Sequence, residues 1–75
     1  MKIKEYDLHG MRLKEAEDFF YEILNDVRLK RKSLEINFIT GTGVIQNRIK
    51  EMAAAQDLTA YIPLANRGCI IVEFE

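Results

Sequence analysis

Seventy-five residues with 48% apolar composition suffice for one hydrophobic core and are too few for two. Eleven Lys and Arg against twelve Asp and Glu leave a net charge of -1. That excludes the strongly basic balance of a dedicated nucleic-acid coat but leaves room for a local basic patch. One cysteine, Cys69, and one histidine exclude an internal disulfide and a Cys/His zinc site, and a reducing compartment fits best. The start Met1-Lys2-Ile3-Lys4-Glu5 has no apolar signal region, and no apolar run approaches the ~18 residues of a spanning helix. A single stand-alone domain over residues 1–75, cytoplasmic and without a membrane partner, is the expectation.

Ile3-Lys4-Glu5-Tyr6-Asp7-Leu8 reads as a first strand, stopped by the turn signal His9-Gly10. From Leu13 the apolar positions Leu13, Ala16, Phe20, Ile23, Leu24 and Val27 recur at helical spacing, with acids early and Arg28, Lys30, Arg31 and Lys32 late, the order the helix dipole favours. Leu34, Ile36 and Phe38 alternate with Glu35 and Asn37, a second strand running into Ile39. Thr40-Gly41-Thr42-Gly43 breaks that pattern, and Ile45, Ile49, Met52 and Ala53 then mark a second helix to about Gln56. Residues 58–62 form a short third strand ended by Pro63; residues 69–74 form a fourth, with Ile70, Val72 and Phe74 on one side. The order β-α-β-α-β-β predicts an α/β two-layer sandwich with a mixed four-stranded sheet and two helices.

The first helix is long enough for a parallel crossover, so the carboxyl ends of the first two strands should emerge on one edge of the sheet. That is the edge where open α/β sheets usually bind ligands, and it brings the only histidine beside the densest glycine cluster. The Thr40–Gly43 stretch feeds a helix N-terminus, where a phosphate could settle, with glycines letting backbone approach and Thr40 and Thr42 offering hydroxyls. Its plainer reading is a strand-to-helix turn with Thr42 as N-cap. Val44-Ile45 stands where a Walker motif needs Lys-Ser/Thr, which argues against a nucleotide-hydrolysing loop.

Asp7 and His9, two apart in an extended segment, fall on one side and offer a carboxylate and an imidazole for acid/base work near neutral pH. The plainer reading makes Asp7 a turn stabiliser and His9 a packing residue. Arg12, Arg48 and Arg67 are placed to neutralise a phosphate, although ordinary solvated helix charge is the stronger reading for Arg48. The Arg28–Lys32 set lies at a helix C-terminus, away from this edge. Cys69, Met11 and Met52 read as packing residues.

The residues that carry this chemistry also carry a family resemblance. Asp7-Leu8-His9-Gly10-Met11-Arg12, followed by a helix with Glu15-Ala16, resembles the leading motif of the small MutS-related (Smr) domain. Ile39-Thr40-Gly41-Thr42-Gly43 is similar to that family's second motif, His-Gly-x-Gly or Thr-Gly-x-Gly, and Gly68-Cys69-Ile70-Ile71-Val72 resembles its Gly-x-x-x-Val ending. Together these span essentially the whole chain. The resemblance implies a fold like the C-terminal domain of bacterial translation initiation factor three. It also implies cleavage or binding of nucleic acid, DNA or RNA, in some members at the ribosome. The family's functional positions fall on Asp7, His9, Gly41 and Gly43, with Gly10 in the first motif. Thr40 stands where many members have His, and Thr42 where a basic residue is common.

The expected mechanism holds a backbone phosphate on the Gly41 and Gly43 amides with help from Arg12, while Asp7 and His9 act on the attacking or leaving oxygen. No metal is required, although Asp7 with phosphate oxygens could hold one loosely bound Mg2+. The alternative is a non-catalytic module that binds nucleic acid or ribosomal RNA through the same edge. A protein-interaction domain without a nucleic-acid role is the third reading.

Overall fold

Six elements follow one another as β1 (Lys4–Asp7), α1 (Leu13–Lys30), β2 (Leu34–Ile39), α2 (Val44–Ala55), β3 (Thr59–Tyr61) and β4 (Cys69–Phe74). They belong to a computed structural model that describes residues 3–75. The signal-region reading at Met1 and Lys2 therefore lies outside the described residues. The β-α-β-α-β-β order matches the expected one. Strand limits are tighter than the pattern suggests, because Ile3, Leu8, Leu58 and Ile62 are apolar residues just outside the strand ends.

The Glu15 carboxylate starts α1 by accepting the Arg12 backbone N–H at 2.9 Å. At the other end Arg31 turns left-handed and the Arg31 and Lys32 amides both return to the Val27 carbonyl. Between these caps Ala16, Phe20, Leu24 and Val27 form the buried stripe.

The sheet order is β1-β2-β4-β3, with β1 and β2 parallel and the other two pairs antiparallel. Every second sheet residue faces the helices. Ile36, Phe38, Ile70, Val72 and Phe74 are fully buried there, together with Phe20 and Leu24 of α1 and Ile49, Met52 and Ala53 of α2. Aromatic rings bind the two layers: Phe20 lies 5.2 Å from Phe74, and Tyr6 meets Phe19 edge-on at 5.0 Å between centroids. Each such side chain contributes about 1.5–3 kcal/mol on burial, so the core occupies one face of the sheet and leaves the other bare. Cys69 is a buried free thiol, Met52 is in the core and Met11 packs against it, as their packing roles required. Among the described residues no helix is long and apolar enough to cross a membrane.

The parallel β1–α1–β2 unit has the consequence expected of it. Both strands end on the same edge, and α1 and α2 both begin there. The late basic residues of α1 lie at the other end, where Lys30 and Lys32 flank a shallow cleft with Lys4 and Leu34.

Candidate functional site

Three segments converge at the carboxyl ends of β1 and β2. The first follows β1: the Leu8 amide donates to the Ile39 carbonyl at 2.8 Å, and the Met11 amide returns to the Leu8 carbonyl, closing a turn with Gly10 at positive φ. Leu8 is completely buried, which anchors exposed His9 on the rim. The second segment, Thr40–Gly43, leads from β2 into α2. The third is the β3–β4 loop, whose Gly68 carbonyl accepts the Thr40 and Gly41 amides at 3.0 and 2.8 Å. The His9 ring rests against the second segment, its Cδ2 3.8 Å from the position a Cβ on Gly41 would take. The expected meeting of the histidine with the glycine loop is therefore present.

The finer expectations divide. Asp7 does not orient the imidazole: its Oδ1 accepts the His9 backbone N–H at 2.9 Å, an Asx-type turn that fixes the chain instead of the ring. The Gly41 amide is not available to a phosphate, because the β2–β4 ladder continues one step past Ile39 and Cys69 and delivers it to Gly68. Thr40 is buried, and its hydroxyl donates to backbone carbonyls, that of Gly41 at 2.7 Å with Gly68 behind it at 3.4 Å. Thr42 is not the N-cap. Gly43 takes that place at φ 137°, a conformation L side chains rarely adopt, and no side chain caps the helix. The first bond of α2 runs from the Asn47 amide to the Gly43 carbonyl, so the amides of Val44 through Gln46 have no intrahelical acceptor and lie at the positive end of the helix dipole.

Among the cations, Arg12 stands exposed immediately before α1, and Arg67 is exposed on the β3–β4 loop. Neither makes a salt bridge among the described residues. Arg48 is already engaged: its Nε donates to Glu17 of α1, with Glu51 3.5 Å away, and the Glu17 hydrogen bond first of all holds its guanidinium above the ordinary range. It ties the helices together and is a poor phosphate ligand. Among the described residues no three His, Cys, Asp or Glu side chains gather as a metal site.

Gln46 is a site-building residue that sequence reading passed over. Buried in the first turn of α2, it donates through Nε2 to the Arg67 carbonyl at 2.8 Å and the Cys69 carbonyl at 3.0 Å, pinning the Arg67 loop beside the helix start. The available signal was its spacing: Gln46, Ile49 and Ala53 fall at i, i+3 and i+7, so one polar side chain occupies the buried stripe.

No family model matches the sequence, and no curated protein shows detectable similarity to it. Among solved structures, the crystal structure of the Smr domain of Thermus thermophilus MutS2 superposes on 96% of this chain and 98% of that chain, with a TM-score of 0.76 at 22% identity. The resemblance carried by the two sequence motifs thus extends to three dimensions, and the chain has the fold of an Smr domain.

Proposed function

We propose that the domain acts on nucleic acid at this edge, as a weak endonuclease with His9 as its acid/base group. The observation that carries the reading is the exposed His9 ring lying against Gly41, where α2 begins. A backbone phosphate placed on the first-turn amides of α2 would have Arg12 and Arg67 to neutralise it and an imidazole within reach of its oxygens. On RNA, His9 takes the proton of the ribose 2′-hydroxyl. The 2′-oxygen then attacks phosphorus as the P–O5′ bond breaks, and the leaving 5′-oxygen takes a proton from water, giving a 2′,3′-cyclic phosphate and a 5′-hydroxyl. Asp7 serves by holding the His9 backbone. A single imidazole without an orienting partner or a second acid makes slow chemistry, and an overall charge of -1 makes weak binding. The scheme routes no step through a metal; DNA cleavage would need activated water, and a Mg2+ there would have Asp7 as its protein ligand beside the phosphate oxygens.

One observation favours a second reading, a non-catalytic module that binds nucleic acid, ribosomal RNA included, through the same edge. Asp7 Oδ1 accepts a backbone amide, that of His9, in place of a hydrogen bond from the imidazole. Single-stranded RNA, supercoiled plasmid and a branched duplex, each incubated with and without EDTA, separate the two. Cut RNA that persists in EDTA and disappears in His9→Ala, with folding and binding intact, supports the enzyme. Binding that weakens with salt and yields no product supports the module. If an oligonucleotide leaves the amide resonances of His9, Gly41 and Gly43 unmoved, both readings end.

A further inference from the structure

The face of the sheet turned away from the helices has a composition the nucleic-acid edge does not explain. Register places Glu5 of β1, Glu35 and Ile39 of β2, Ile71 and Glu73 of β4 and Tyr61 of β3 on that side. No Lys or Arg occupies an outward position on any of the four strands. Glu35 and Glu73 are directly opposed across an antiparallel pair, an arrangement that works against the sheet. Tyr61 relieves only one of them, its hydroxyl donating to Glu35 at 3.2 Å, and its half-exposed ring stays open to the same side. Beside them Asn37 gives its Nδ2 hydrogen to Glu5 at 3.2 Å, which leaves Asn37 Oδ1 as a buried acceptor without a donor. Among the described residues, then, carboxylates without counter-charges, an unpaired acceptor, an aromatic ring and the half-buried Ile39 and Ile71 lie on one open surface.

We infer that this face docks an arginine-bearing segment of a partner protein. Charge complementarity selects the sign, since a polyanion is repelled by Glu5, Glu35 and Glu73. The rest of the surface selects the side chain. A guanidinium carries several donors in a planar fork that suits paired carboxylates, stacks on a tyrosine ring, and hangs from an apolar stem that Ile39 and Ile71 can cover. The inference does not depend on the nuclease reading, and a domain that cuts nothing still presents this face.

The test titrates a short peptide of alternating arginine and alanine into the labelled protein at low salt, followed by amide chemical shifts. Saturable changes are expected at Ile39, Tyr61, Ile71 and Glu73, weakening as salt is added. Glu73→Lys is the decisive variant, because it replaces a like-charged pair by an opposite one and should fold at least as well. It is expected to weaken the peptide about tenfold or more, since one attraction is lost and a repulsion takes its place. Absence of saturable shifts on these strands, shifts confined to the helices, or an unchanged affinity in Glu73→Lys would overturn the inference.

Discussion

The carboxyl edge of the sheet and its bare face adjoin at Asp7, yet they present opposite electrostatics. At the edge two helices begin, Arg12 and Arg67 are exposed without a salt bridge among the described residues, and a lone histidine sits on the rim. On the face, glutamates from three strands stand without a cation among the described residues. A net charge of -1 therefore describes neither surface. Composition sums what the fold separates: α-helix N-termini and loop arginines go where parallel strands end, and alternating acids go to the side the helices leave uncovered. Partner chemistry is decided by this partition, not by the total.

The largest expected effect tests the edge. His9→Ala should abolish cleavage, a loss of roughly 100-fold or more, with an unchanged thermal midpoint, because the side chain is exposed and contributes little to the core. Asp7→Asn is the informative companion. Its amide oxygen can still accept the His9 N–H, so cleavage should stay within a few-fold of the parent, whereas Asp7→Ala removes that acceptor. A collapse of activity in Asp7→Asn, with folding intact, would mean that the carboxylate charge works on the substrate and would restore the acid/base pair.

Next comes Gln46→Leu. The Arg67 and Cys69 carbonyls lose their shared donor, which costs about 1–3 kcal/mol, and the β3–β4 loop is released from α2. Denaturant unfolding should show the loss, and amide exchange at Gly68 and Cys69 should quicken more than exchange in α1. A stability change within about 0.5 kcal/mol would show that this side chain does not hold the edge together.

These residues show what could be read in the sequence and what could not. The two helices and the strands β2 and β4 announce themselves through local periodicity, and β1 and β3 through the turn signals His9-Gly10 and Pro63 that end them, all of which are local along the chain. The approach of His9 to Gly41 was legible as well, since a parallel crossover forces the ends of β1 and β2 together. The loop's hydrogen bonds were not. Which amides stay free between Thr40 and Gly43 depends on Gly68, more than twenty residues away, and only the antiparallel placement of β4 beside β2 brings it there. The bare face was hidden for the same reason: Glu35 and Glu73 oppose each other only in one register.

Gly41→Ala separates conformation from ligand access. Its φ of 72° costs an alanine about 1–2 kcal/mol, while the added Cβ meets His9 only at ordinary contact distance. With its amide committed to Gly68, the expected result is a less stable protein that keeps its activity per folded molecule. Activity falling well beyond the loss of folded protein would show that substrate approaches the backbone at Gly41 itself.

The smallest effect belongs to the face, and its sign is what matters. Glu73 opposes Glu35 in the register, and cross-strand pairs of this kind are worth about 0.2–1 kcal/mol in either direction according to charge. Glu73→Lys should therefore raise stability by that amount, or roughly 1–8 °C in Tm for a domain of this size. The gain should shrink in high salt, because both side chains remain partly in water. A substitution that strengthens the fold while weakening the arginine peptide would mark the opposed glutamates as a local cost kept for binding. A substitution that lowers stability would instead mean that Glu73 is already satisfied where it stands, and the electrostatic contrast between edge and face would lose its sharpest term.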